Sequence, residues 1–410
     1  MGRIAPKMLP PLVLVLVLLL QLLAPSHSIE WTLPDVIDSI GNVGTSIVDP
    51  SLLPTPQGLI DGSKQLIAGY PFEFVSTSLS VICSQALASN KIKSKFTPDI
   101  KMMHFQLQTA CTKTSFPITN PEDMWKSPLF DPKKKVVILA TGWTTTVNGS
   151  DTIDVFSKAY NCRGDVNFVA VDAARFVDTL YTWSAFNTEE IGENIALGLV
   201  KLLDLMPVEN IHLIGHSLGA HIVGSAGRHL HRLTGQLVPR ITGLDPAKPC
   251  FNEGEVLSGL MRGDGRFVDV IHSNSGVLGK RDPLGDVDFY PGGMGSLPAG
   301  CFSVTCAHAR SWEYYAETVY PGNEGNFMAT RCSSIARLRE FRCPGDEVPM
   351  GYAVPQNIKG NYFLEVSGSP PFGKHASSVR SVHLEQCGKC PDSSTTPAPI
   401  STTAKSRSWF

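Results

Sequence analysis

Net charge is nearly absent from this 410-residue sequence: 35 Lys and Arg stand against 37 Asp and Glu, a formal −2. No global field therefore steers it toward nucleic acid or an acidic substrate. Long runs of one sign are lacking too. The densest, Lys133-Lys134-Lys135, is read as the flank of a buried strand rather than an anion site. No internal repeat is visible, which excludes a solenoid or propeller built from copies. After the N-terminus no apolar run is long enough to span a bilayer, so no stable transmembrane anchor is expected. The one C-x-x-C, Cys387-Gly-Lys-Cys390, lacks a second such pair. Structural disulfides are expected there in preference to zinc or redox chemistry.

What is present is ordinary globular material, 42% hydrophobic and 18% charged, with enough length for a large core. The N-terminus carries Arg3 and Lys7, then an apolar stretch, then small residues at Ser26 and Ser28. This is the pattern of a signal peptide over 1–28, and it implies a secreted, extracellular chain. Ten cysteines agree with an oxidising compartment. Short spacings pair Cys301 with Cys306 and Cys332 with Cys343; the other six are left unassigned. Asn148-Gly149-Ser150 is a glycosylation sequon.

Residues 29–95 are Pro/Gly/Ser-rich with weak periodicity and read as an irregular extension. Residues 391–410 read as a disordered Ser/Thr/Pro-rich tail. Between them, 96–390 has another texture. "MMHFQLQTA" alternates like a strand. "KKVVILATGW", "VNFVAVDAAR", "IHLIGHSLGA", "ITGLDPAKP" and "FVDVIHSNS" are apolar runs that end in loops. "TEEIGENIALGLVKLLDLM" and "LGAHIVGSAGRHLHRL" have helical periodicity. Apolar strands alternating with such helices predict an α/β fold with a mostly parallel sheet covered on both faces.

Gly215-His216-Ser217-Leu218-Gly219 stands where a buried strand runs into a helical segment. Taken alone, the pentapeptide also fits an ordinary serine in a glycine turn. In its context it fits a sharp strand-to-helix elbow, where crowding admits only glycine two residues before and after an activated serine. Serine needs a base, a group orienting that base, and donors for an oxyanion. The backbone N–H of Leu218 is one candidate donor, and that of Trp143, in the loop after "VVILATG", is the other. Asp245 ends an apolar run and is followed by Pro246, at the same sheet edge. Of the later histidines, His272 sits in a strand pattern and reads as structural, whereas His308, two residues after Cys306, is the best candidate base among His272, His308, His375 and His383.

At these motifs the chain resembles the pancreatic-type neutral lipase family of secreted α/β-hydrolases, over about residues 100–370. "VNFVAVDAAR", "VENIHLIGHSLGAHIVGSAGR", "ITGLDPAKPCF", "RFVDVIHSN", "DVDFYPGG" and "CAHARSWEYY" follow the family's order. The flavour is that of the insect branch, with yolk-protein-like members and venom phospholipases A1. The resemblance implies Ser217 as nucleophile, Asp245 as acid, His308 as base, and Trp143 and Leu218 at the oxyanion. It also implies a glycerolipid substrate at a lipid–water interface.

Four departures carry information. Thr141 stands where the family usually has His. Only "FSVT" lies between Cys301 and Cys306, where triacylglycerol lipases carry a long lid, and the loop before "VDFYPGG" is short too. The resemblance then favours phospholipase A1 over triacylglycerol lipase. Asp264 fits one ligand position of a family calcium site, but Met261 replaces a second carboxylate, so no cofactor or metal is expected. After "CAHARSWEYY" the length is too small for a C-terminal β-sandwich. Yolk-type storage or lipid-carrying relatives have lost the nucleophile, which this chain keeps.

Overall fold

The computed structural model describes residues 99–143, 150–173, 181–251, 257–377 and 387–390. The leader expected at 1–28, the extension expected at 29–95, Asn148, His383 and the tail expected at 391–410 lie outside the described residues.

The strands are β1 (His104–Gln108), β2 (Lys113–Pro117), β3 (Lys135–Ala140), β4 (Val166–Asp172), β5 (Ile211–His216), β6 (Arg240–Leu244), β7 (Val268–Ile271), β8 (Val287–Pro291), β9 (Met328–Cys332), β10 (Glu347–Pro349) and β11 (Gly360–Leu364). Among the described residues they form one sheet in the order β10-β9-β11-β8-β7-β6-β5-β3-β4-β1-β2. The run from β4 through β3, β5, β6, β7 and β8 to β11 is parallel, and both margins are antiparallel. The triple lysine does flank a strand, with Lys135 opening β3.

Two pairs of helices cover the sheet: α1 (Asp151–Arg163) with α4 (Val304–Val319), and α2 (Thr188–Leu202) with α3 (Leu218–Thr234). Strand side chains alternate between these layers. Val136 and Ile138 join a core with Ile191, Ile195, Val223 and Leu230, while Val137 and Leu139 join one with Phe156, Tyr160 and Tyr315. Each such side chain, once buried, contributes about 1.5–3 kcal/mol. The helix ends are set locally. Ser150 accepts a hydrogen bond from Ile153 N to open α1, and Ser303 does the same for Cys306 N at α4. Gly164 and Gly235, at φ 77° and 71°, end α1 and α3.

The predicted alternation of β1 is only half right. Phe105 and Leu107 enter the core, but Gln106 and Gln108 are buried as well. Helix α1 covers their face, with Asn161 Nδ2 donating to Gln108 O. The amide nitrogens are bonded, Gln108 Nε2 donating to Gln106 Oε1 and Gln106 Nε2 to Ser115 Oγ, whereas Gln108 Oε1 has no partner among the described residues.

Cys301–Cys306 and Cys332–Cys343 are disulfides. The C-x-x-C cysteines do not pair with each other. Cys387 bonds Cys162 and Cys390 bonds Cys111, across 225 and 279 residues of sequence. Cys250 is disulfide-bonded too, to a partner outside the described residues. After α4 the described chain returns to the sheet as β9–β11 and forms no separate sandwich.

Candidate active site

Three strand ends converge at one edge of the sheet. Strand β5 ends at His216, and Ser217 takes φ 59° and ψ −122° before α3 begins at Leu218. That conformation is costly for a residue with a side chain. It is held by neighbours: Ser217 N donates to Leu244 O at 3.0 Å, and Ser217 O accepts from Ala247 N at 3.2 Å. Close approach explains the flanking glycines. A Cβ on Gly215 would fall 2.1 Å from Gly219 O, and one on Gly219 would fall 2.1 Å from Ala140 O. Gly142, after β3, lies so close that a Cβ would be 2.6 Å from Ser217 Cβ.

Strand β6 ends at Leu244, and Asp245 follows at φ 42° with no solvent exposure. Its carboxylate is fully engaged. His308 Nδ1 donates to Oδ2 at 2.5 Å, while Ser273 N and Asn274 N donate to Oδ1 at 2.9 and 3.0 Å. Those N–H groups arrive from the end of β7. The loop then folds over the acid so tightly that a Cβ on Gly279 would overlap its carboxyl group. His308 lies in the first turns of α4, just after the Cys301–Cys306 closure, and its side chain keeps 13% exposure. Ser217 Oγ makes no hydrogen bond among the described residues, so the serine–imidazole contact is not closed in this conformation. Such contacts commonly tighten only when substrate binds.

Two further histidines support this edge. His216 Nε2 donates to His308 O at 3.2 Å, and the two rings lie 4.6 Å apart. Burial, reinforced by the His308 charge, pushes His216 well below the usual histidine range, so it does not compete for the proton. His221 Nε2 donates to Ala247 O at 2.8 Å, and its Nδ1 accepts from Leu260 N at 2.9 Å. Burial lowers it to about 3. It thereby braces the segment just after Asp245.

Trp143 is half-buried and packs with Leu218, Ala185, Ala247 and Phe251. The two candidate oxyanion residues thus lie in one cluster beside the elbow. As the first residue of α3, Leu218 has no helical carbonyl four residues back to accept its N–H. His272 lies elsewhere, bonded to Lys280 O and Asp288. The Asp264 position does not fit a calcium ion. Its Oδ2 accepts from Arg228 Nη1 at 2.8 Å and from Met261 N at 2.9 Å, and the same Arg228 nitrogen donates to Gly259 O. A guanidinium already uses the oxygens a hard cation would need.

Sequence reasoning missed the Ser273 and Asn274 donors, Gly279 and the His216 contact. Backbone N–H groups carry no residue signature. The only trace was the polar "HSN" closing an apolar strand.

The sequence model of the family described as Lipase matches residues 80–372. The chain belongs to the Lipase family. Among curated relatives of this lipase-family chain, Vitellogenin-3 of Drosophila melanogaster is 35% identical over 56% of this chain and 54% of its own length. Vitellogenin-1 of Ceratitis capitata is 37% identical over 52% of this chain and 49% of its own. Pancreatic lipase-related protein 2 of Rattus norvegicus is 34% identical over 58% of this chain and 56% of its own. The chain spans about half the length of these relatives.

Proposed function

We propose that this chain is a secreted hydrolase that cleaves carboxylic esters of glycerolipids through an acyl-enzyme on Ser217. The observation that carries the reading is the 2.5 Å hydrogen bond from His308 Nδ1 to buried Asp245, on the edge where Ser217 stands clear of the sheet. Ser217 Oγ attacks the acyl carbonyl while His308 Nε2 takes its proton. Asp245 fixes the tautomer and stabilises the imidazolium. The N–H groups of Leu218 and Trp143, with the positive end of α3 behind them, receive the oxyanion. Collapse breaks the ester C–O bond, and His308 returns its proton to the departing glycerol oxygen. Water, deprotonated by the same imidazole, then attacks the acyl carbonyl, the bond to Ser217 Oγ breaks, and His308 returns the proton to Oγ as the fatty acid leaves.

Phospholipid, cleaved as by a phospholipase A1, is the preferred substrate in this reading, and triglyceride is second. The support is the Cys301–Cys306 loop: it passes straight into α4, and Phe302 within it is 96% exposed. Secretion is supported by the disulfides and the N-terminal segment. A second reading, a non-catalytic lipid-binding or yolk-type storage protein, draws on the relatives named vitellogenin. A fluorophosphonate probe separates the two. It should label the native protein and not Ser217→Ala; equal or absent labelling of both sinks hydrolysis. Fatty acid released from phosphatidylcholine should exceed that from a triglyceride, and the reverse would overturn the phospholipid preference.

A further inference from the structure

The loop that encloses Asp245 has a second, basic side. A cavity of about 270 Å3 is lined by Lys248, Gly276, Lys280, Arg281, Asp282 and Arg339. Four cations thus face one space with a single carboxylate. Cationic side chains gathered in this way favour an anion between them.

Three of the four cations are placed by the backbone. Lys248 Nζ donates to Gly276 O at 2.7 Å, and Lys280 Nζ donates to Phe251 O. Gly276, at φ 84°, lets the Arg281 guanidinium lie against the backbone: a Cβ there would be 2.7 Å from Nη2 and 3.0 Å from Cζ. Lys248 and Arg281 therefore meet at the same glycine. Glu340, next to Arg339 in the sequence, is taken by Arg337 and Arg342. Neither Arg281 nor Arg339 forms an ion pair among the described residues. An adjoining recess, also lined by Arg281 and Arg339, adds Met294 and the exposed Phe341, so an apolar wall borders the charge.

We propose that this cavity binds a phosphate group. Planar guanidinium forks match tetrahedral oxyanions in geometry, and fixed ammonium groups complete the charge. The site lies outside the Ser217–His308–Asp245 group, and its binding does not depend on hydrolysis. It shares a loop with that group: Asn274 and Gly279 contact Asp245, and Lys280 N donates to Pro246 O at 2.8 Å.

Isothermal titration of the full chain with inorganic phosphate, paired with cosedimentation on phosphatidylcholine vesicles with and without phosphatidic acid, tests this. Saturable phosphate binding is expected. Arg281→Ala and Arg339→Ala should each weaken it about tenfold or more, with Arg281→Lys between native and Arg281→Ala. Both arginines are exposed, so melting temperature serves as the folding control and Arg266→Ala as the charge control. Binding to phosphatidic acid vesicles that phosphate displaces assigns a lipid headgroup. Phosphate binding without added vesicle affinity assigns the free ion. No binding of either probe, or binding unchanged in both alanine variants, overturns the proposal.

Discussion

Two histidine–aspartate pairs stand at neighbouring strand ends and do different things. His308 bonds Asp245 at 2.5 Å, and His272 bonds Asp288 at 2.9 Å. His272 is wholly buried, stacks on Tyr290 at 4.5 Å, and spends its other nitrogen on Lys280 O. Asp288 also accepts from the N–H groups of Leu284 and Gly285. Every polar atom of that pair is occupied, so it cross-links β7 to β8 and the loop between them. His308 has one engaged nitrogen, partial exposure and a serine on the same edge. In the proposed function, what separates a base from a brace is the unspent nitrogen, not the carboxylate beside it.

Breaking each pair should expose the contrast. His308→Ala should lower kcat on an ester substrate by about 10^4-fold or more, since a triad acts as a unit, while urea unfolding changes little. His272→Leu should do the reverse. It leaves Asp288 buried without its partner, at a cost of roughly 3–5 kcal/mol, while kcat per folded molecule stays within a few fold. A collapse of kcat in His272→Leu at unchanged stability would exchange the two roles.

A smaller effect sharpens the same point through pH. Burial lowers His221 to about 3 and holds His212 and His216 well below the usual range. These rings are neutral when folded and take protons when unfolded. Their stabilisation is present above about pH 6.5 and is lost as pH falls toward each folded value, at about 1.4 kcal/mol per pH unit per histidine. Asp264, raised to about 6 by burial, works in the opposite sense and offsets part of this. The melting temperature should fall steadily between pH 7 and 4; a flat profile there would contradict the neutral-histidine description.

The elbow was legible in the sequence because its residues are contiguous, with Gly215 and Gly219 crowding each other across a single turn. The parallel strands were legible because both of their faces are apolar. Asp245 and His308 could be proposed from their place after Leu244 and Cys306. The short disulfide loops followed from spacing. The disulfides of Cys111 and Cys162, the buried amides of β1 and the enclosure of Asp245 by Gly279 all depend on which distant segments meet. That information resides in the sheet order rather than in any neighbourhood of the chain.

The last described tetrapeptide has a consequence for cleavage. Cys387 and Cys390 tie the chain back to Cys162 and Cys111. Any single peptide bond cut between residues 111 and 390 leaves two pieces on one covalent graph. A protease that nicks a surface loop there would release nothing, and the cut would show on a gel only after reduction.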